Sequence, residues 1–138
     1  MIPKTVLFVC THNSARSQMA EGLLNHLYGD GFQAFSAGTE KTQVRIPAIE
    51  AMKRIGIDIS HHESKTVGSF GEKEFDIVIT VCENAKENCP YIPTRGERLH
   101  WSFDDPASAT GTDAEKLAVF ERVRDEIRKR IEGYFGEL

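Results

Sequence analysis

The hand-over from "TVLFVC" to "SQMAEGLLNHLY", across a short polar loop, constrains this chain more than any other feature. Thr5 to Val9 is short, apolar and rich in β-branched residues, which predicts a fully buried strand. From Ser17 to Tyr28 the apolar residues Met19, Ala20, Leu23, Leu24, Leu27 and Tyr28 recur at helical spacing, which predicts an amphipathic helix. A buried strand running straight into a helix is the opening of an α/β chain.

The alternation continues. "YGDG" ends the helix and Phe32 to Gly38 reads as a second strand. Pro47 suits the first turn of a second helix, with Ile49, Met52 and Ile55 as its apolar stripe before Gly56. Ser60 to Phe75 is mixed and polar, with room for a short helix. "FDIVITV", Phe75 to Val81, is the clearest strand. Cys82 to Pro93 is a proline-bounded loop of turn or helical character, Arg98 to Trp101 a short fourth strand, and Phe103 to Thr112 a loop. The C-terminal helix buries Leu117, Phe120, Val123, Ile127, Ile131 and Phe135, and the charges of "ERVRDEIRKR" lie mostly on its other, solvated face. Strands alternating with helices imply one α/β domain over residues 1–138, a doubly wound four-stranded parallel sheet flanked by helices. Ligands of such sheets bind beyond the carboxyl ends of the strands. The loop after the first strand, Cys82 after the third, and Asp104-Asp105-Pro106 after the fourth all fall at that edge.

Seventeen Lys and Arg against 21 Asp and Glu give a formal net charge of −4, which argues against a nucleic-acid footprint and against binding to anionic membranes. No apolar run has the length of a membrane span, and the first ten residues lack a signal peptide's apolar region and cleavage site. A cytoplasmic protein is expected. Three cysteines, Cys10, Cys82 and Cys89, are an odd count and a poor disulfide framework for a reducing compartment. With no C-x-x-C and no ligand-like His pairing, no metal is expected.

"CTHNSARS" has the form C-x5-R-S between strand and helix. The small and polar residues Thr11, His12, Asn13, Ser14 and Ala15 can curl so that backbone N–H groups line an anion nest beside a helix N-terminus. Arg16 adds a planar fork of donors for two oxygens of a tetrahedral oxyanion. Cys10 at the floor of that nest is expected to be acidified, with Ser17 as a hydrogen-bond donor to the thiolate. Neither nucleotide-binding glycine motif occurs. Asp104 and Asp105 are candidate acids for a leaving oxygen, and Asp105, preceding Pro106, is preferred.

The loop, Glu21-Gly22, "SAG" at 36–38 and Asp105-Pro106 together resemble the low-molecular-weight protein tyrosine phosphatase fold. "MAEG", "AMKRIGIDIS", "ITVC", Cys89-Pro90, "HWSFDDPA" and "FERVRDEI" further resemble the thioredoxin-coupled arsenate reductases, over nearly the whole chain. The resemblance implies that Cys10 attacks arsenate, Cys82 attacks Cys10 sulfur as arsenite leaves, and Cys89 resolves the Cys10–Cys82 disulfide. It implies thioredoxin as reductant, no bound cofactor, phosphate or sulfate as mimics of arsenate, and a monomer. A phosphatase using only Cys10, Arg16 and Asp105 is the alternative. A non-catalytic oxyanion-binding or thiol-sensing module is a third, against which Asp105 argues, because a binder needs no acid.

The chain departs from the family pattern at His12, where Gly is usual, at Ala15, where a second Cys is usual, and at Lys65. Ala15 leaves the relay intact. His12 can adopt a positive φ at moderate cost, or sit exposed near the mouth. Some relatives hold potassium through residues matching Asn13, Glu21, Ser36 and an Asp at 65. Lys65 removes that ligand and is expected to pair with Glu21. His61 and His62 are expected to face solvent, His100 to pack, and Trp101 to line the rim of the site.

Overall fold

A computed structural model describes residues 2–82 and 92–137. Four strands, β1 (Lys4–Cys10), β2 (Phe32–Gly38), β3 (Phe75–Thr80) and β4 (Thr94–His100), form one parallel sheet in the order β2-β1-β3-β4. Helices α1 (Arg16–Tyr28), α2 (Ile46–Lys53) and α3 (Asp113–Phe135) flank it. Short 3-10 turns cover Val67–Phe70 and Pro106–Ser108. The expected sheet and its parallel sense are those observed.

Val6 to Val9 have no solvent exposure at all, because β1 lies between two neighbours and under helices. Each such side chain contributes roughly 1.5–3 kcal/mol on burial. β4 differs from expectation, starting at Thr94 rather than Arg98. It is the sheet's edge strand, and its middle residues Arg95, Gly96, Glu97 and Arg98 are exposed, so no apolar alternation betrays it. Charges there also discourage pairing with another chain. α3 closes the other end through its last residues. Phe135 packs edge-on against Phe32 at 4.9 Å and against Trp101 at 6.1 Å.

Two sequence readings are corrected here. Trp101 does not line the rim of a site; it is 4 % exposed, seated against Phe8, Tyr134 and Phe135 with Arg130 over its ring. Arg124 does not belong to the solvated face of α3. It is buried and donates to the Ala51 carbonyl at 2.7 Å, satisfying one of the acceptors that α2 leaves open at its C-terminal end.

The strand order places one point of the molecule apart. From β1 the chain crosses to β2 on one side, and β3 returns on the other, so their carboxyl ends flank the topological switch point. Val9 is level with Thr80 and Val81 donates to the Val9 carbonyl, which brings Cys10 and Cys82 to the same height.

Candidate active site

The loop from Thr11 to Ala15 is held by its carbonyls. Thr11 oxygen accepts from Glu40 N–H at 2.9 Å and Thr39 Oγ1 at 3.3 Å. His12 oxygen accepts from Thr42 Oγ1 at 2.7 Å and Ser64 Oγ at 3.1 Å. Asn13 oxygen accepts from Gln18 Nε2, Ser14 oxygen from Arg45 N–H, and Ala15 oxygen from Met19 N–H. A peptide's N–H points opposite to its C=O, so tethering these carbonyls on the outside turns the N–H groups inward. Among the described residues no hydrogen bond takes up the backbone N–H of His12, Asn13, Ser14, Ala15 or Arg16. α1 starts at Arg16 with no side-chain cap, adding its dipole to the nest.

The positive φ the loop needs falls on Asn13, at 48°, and not on His12. Asn is tolerant of that region, and its side chain is built into the support. Asn13 Oδ1 accepts from Gln18 Nε2 at 2.9 Å and Lys65 N–H at 2.8 Å, and its Nδ2 donates to Ser17 Oγ at 2.9 Å. β2 presents Gly38 to the loop so closely that a Cβ there would lie 2.6 Å from Thr11 oxygen.

A cavity of about 220 Å³ opens above the loop, lined by Cys10, His12, Ser14, Ala15, Arg16 and Arg45 on one side and Asp105, Ala107 and Ser108 on the other. Arg16 Nη1 donates to the Phe103 carbonyl at 3.0 Å, and Nη2 stands 3.8 Å from Asp105 Oδ2. Asp105 also caps the Pro106–Ser108 turn through Ala107 N–H, so the turn itself fixes the carboxylate at the rim. Asp104 faces away, toward Arg122 at 3.3 Å. The side chains of Asn13 and Ser17 are buried and bonded to each other, with Ser17 Oγ accepting from Asn13 Nδ2, and Thr11 Oγ1 lies 3.3 Å from Cys82 Sγ. His12 is exposed and pairs with Glu40 at 3.3 Å.

Cys10 and Cys82 are both buried, at the carboxyl-end side of neighbouring strands. Cys82 Sγ accepts the Thr11 N–H at 3.2 Å. This reverses the expected acidity of Cys10. The hydrogen bond with Cys82 and then burial push its thiol well above the ordinary range, outweighing Arg16 and the Thr11 backbone, which pull it down. Cys89 lies outside the described residues.

Behind the loop sits a polar cluster that sequence reasoning only half anticipated. Ser36 Oγ donates to Glu21 Oε1 at 2.7 Å, and Lys65 Nζ stands 4.0 Å from the same oxygen. An ammonium at that place does not fit a potassium ion held by Glu21. His62, expected in solvent, is half-buried: its Nδ1 lies 3.0 Å from Gln18 Oε1 and 3.4 Å from Glu21 Oε2. Both neighbours are acceptors, so Nδ1 carries the proton, and burial pushes the imidazole's pKa below its usual value. Arg45 was missed altogether. Its only signal was its place before Ile46-Pro47, which sets it at the start of a helix near the sheet edge where α1 also begins.

The family model for the low molecular weight phosphotyrosine protein phosphatase matches residues 5–138. The arsenate reductase of Halalkalibacterium halodurans is 51 % identical over 97 % of this chain and 96 % of its own. A solved arsenate reductase in an oxidized state superposes with a TM-score of 0.81 at 33 % identity, over 97 % of this chain and 98 % of its own. Another, in a phosphate-binding state, gives 0.79 at 32 % identity with the same coverage.

Proposed function

This chain belongs to the low molecular weight phosphotyrosine protein phosphatase family, and on that premise we propose that it reduces arsenate to arsenite through three cysteines. Arsenate enters the nest of N–H groups, gripped by Arg16. Its own basic oxygen takes the proton that Cys82 holds on Cys10. Cys10 Sγ then bonds to arsenic, and the departing oxygen leaves as water, protonated by Asp105. Cys82, as thiolate, attacks Cys10 sulfur. The S–As bonding pair passes to arsenic, which leaves as arsenite, and a Cys10–Cys82 disulfide remains. Cys89 attacks Cys82, freeing Cys10 and moving the disulfide to Cys82–Cys89. A thioredoxin dithiol returns it to thiols.

The observation that supports this reading is that the register of β3 on β1 brings a second buried thiol, Cys82, level with Cys10, where it accepts the Thr11 N–H of the nucleophile loop. A phosphatase has no use for a second thiol there, least of all one that raises its nucleophile's pKa. A relay that depends on free thiols also suits a reducing cytoplasm, and we propose a monomer that works there. Phosphate and sulfate are its expected inhibitors.

The phosphatase reading retains one favourable observation, Asp105 at the rim 3.8 Å from Arg16. One assay separates the two. Reduced protein is incubated with arsenate, thioredoxin, thioredoxin reductase and NADPH, and NADPH loss is followed. A reductase loses turnover in Cys10→Ser, Cys82→Ser and Cys89→Ser alike. Turnover of an aryl phosphate that survives in Cys82→Ser and Cys89→Ser, with no arsenate-dependent NADPH loss in the parent, would establish the phosphatase instead.

A further inference from the structure

Arg45 lines the oxyanion cavity, yet neither the nucleophile loop nor the acid loop supplies it. It comes from the residue preceding α2, and its backbone N–H is bonded to the Ser14 carbonyl at 2.8 Å. That bond anchors Arg45 to the loop it overlooks. At the mouth Arg16 Nη2 faces Asp105 at 3.8 Å, and His12 Nδ1 lies 3.3 Å from Glu40. Among the described residues no hydrogen bond or ion pair engages the Arg45 guanidinium. A neighbouring groove of about 560 Å³ is bounded by His12, Thr42, Gln43, Val44 and Arg45. Arg45 is an exposed residue that borders both the oxyanion cavity and this groove, and its guanidinium is uncommitted among the described residues.

We infer that Arg45 is a second oxyanion contact, gripping the outward oxygens of a bound tetrahedral anion while Arg16 and the loop N–H groups hold the inward ones. For turnover this rests on the reductase reading; for anion binding it does not. A tetrahedral anion seated on the nest turns at least one oxygen toward the mouth, where solvent would otherwise be its only partner. A guanidinium there offers it a charge-assisted, bidentate hydrogen bond. Arg45 therefore sets affinity for doubly charged tetrahedral anions, and contributes to capture more than to the bond-making step.

The test uses inorganic phosphate as the probe. Reduced parent, Arg45→Gln and Arg45→Lys are alkylated with iodoacetamide at low ionic strength under increasing phosphate, and modification of Cys10 is read by peptide mass. Arg45→Gln should raise the half-protecting phosphate concentration on the order of tenfold, the size of one partly exposed charged contact. Arg45→Lys, which keeps the charge but loses the bidentate fork, should recover only part of it, and added neutral salt should shrink the difference. In the arsenate assay the loss should fall on KM more than on kcat. Protection in Arg45→Gln within twofold of the parent overturns the inference, as does a Lys variant as weak as the Gln one. A parent that phosphate protects but that consumes no NADPH with arsenate overturns the reductase reading alone.

Discussion

Replacing Gly38 by Ala tests whether the oxyanion nest is seated on β2. The backbone at Gly38 lies outside the left-handed region, so alanine meets no conformational penalty there and the effect is purely steric. An added Cβ would lie 2.6 Å from Thr11 oxygen, 2.8 Å from Asn13 nitrogen and 2.9 Å from Cys10 oxygen, all main-chain atoms. No side-chain rotation relieves this. To restore ordinary contact the loop has to retreat by roughly 0.8 Å, close to the displacement of about 1 Å that costs a catalytic site on the order of 100-fold. Overpacking of this kind costs ~1–3 kcal/mol, and three backbone contacts put it at the upper end. With a urea m-value of about 2 kcal/mol/M, the unfolding midpoint should fall by about 1.5 M, and phosphate should protect Cys10 only at on the order of 100-fold higher concentration. Gly133→Ala is the control. It sits on the exposed side of α3 with nothing within 4 Å of a new Cβ, and should stabilise the protein by about 0.5–1 kcal/mol. If Gly38→Ala unfolds within 0.3 M urea of the parent and binds phosphate normally, the reasoning about the seat is wrong.

Thr112 caps α3 through the Glu115 N–H at 3.1 Å, and Glu115 returns the bond to the Thr112 N–H, so Thr112→Ala should cost about 1 kcal/mol in urea denaturation. His62 has a folded pKa below its unfolded value, so the unfolded chain binds more protons in that window. Its contribution is present above pH 6.5 and is lost as pH falls through the folded pKa. The parent's urea midpoint should therefore drop between pH 7 and 5.5 by more than that of His62→Gln, and equal slopes would show that burial of this imidazole is not what titrates.

Most of the scaffold was legible because burial writes itself into composition. β2 was read to the residue, and β1 and β3 to within a residue at each end, since their apolar runs have no other explanation. β4 was read short because an edge strand buries little and can be spelled with Arg and Glu. At the site, C-x5-R-S and Asp105 were visible because their chemistry needs those residue types in that order. Arg45, His62 and Arg124 were not, because each acts across the fold: Arg45 from the start of α2, His62 on Gln18 and Glu21, Arg124 on Ala51. The acidity of Cys10 was misjudged for the same reason. The loop alone argues for a thiolate, and only the register of β3 on β1 shows what stands beside it.

The outward tethering of the loop carbonyls separates what recognises the anion from what the letters of the loop spell. On the proposed function, main-chain N–H groups grip the anion, and any residue supplies them, so His12 and Ala15 are free to drift. What cannot drift is the ring of donors around the outside: Thr39, Thr42, Ser64, Gln18 and the Arg45 backbone. These residues share no motif and come from three separate stretches of chain: Gln18 in α1, Thr39 to Arg45, and Ser64. If the loop is the oxyanion site proposed above, its specificity is stored at a distance, in the spacing between strands and helices, and a variant far from the loop can lose it while every residue of "CTHNSARS" stays in place.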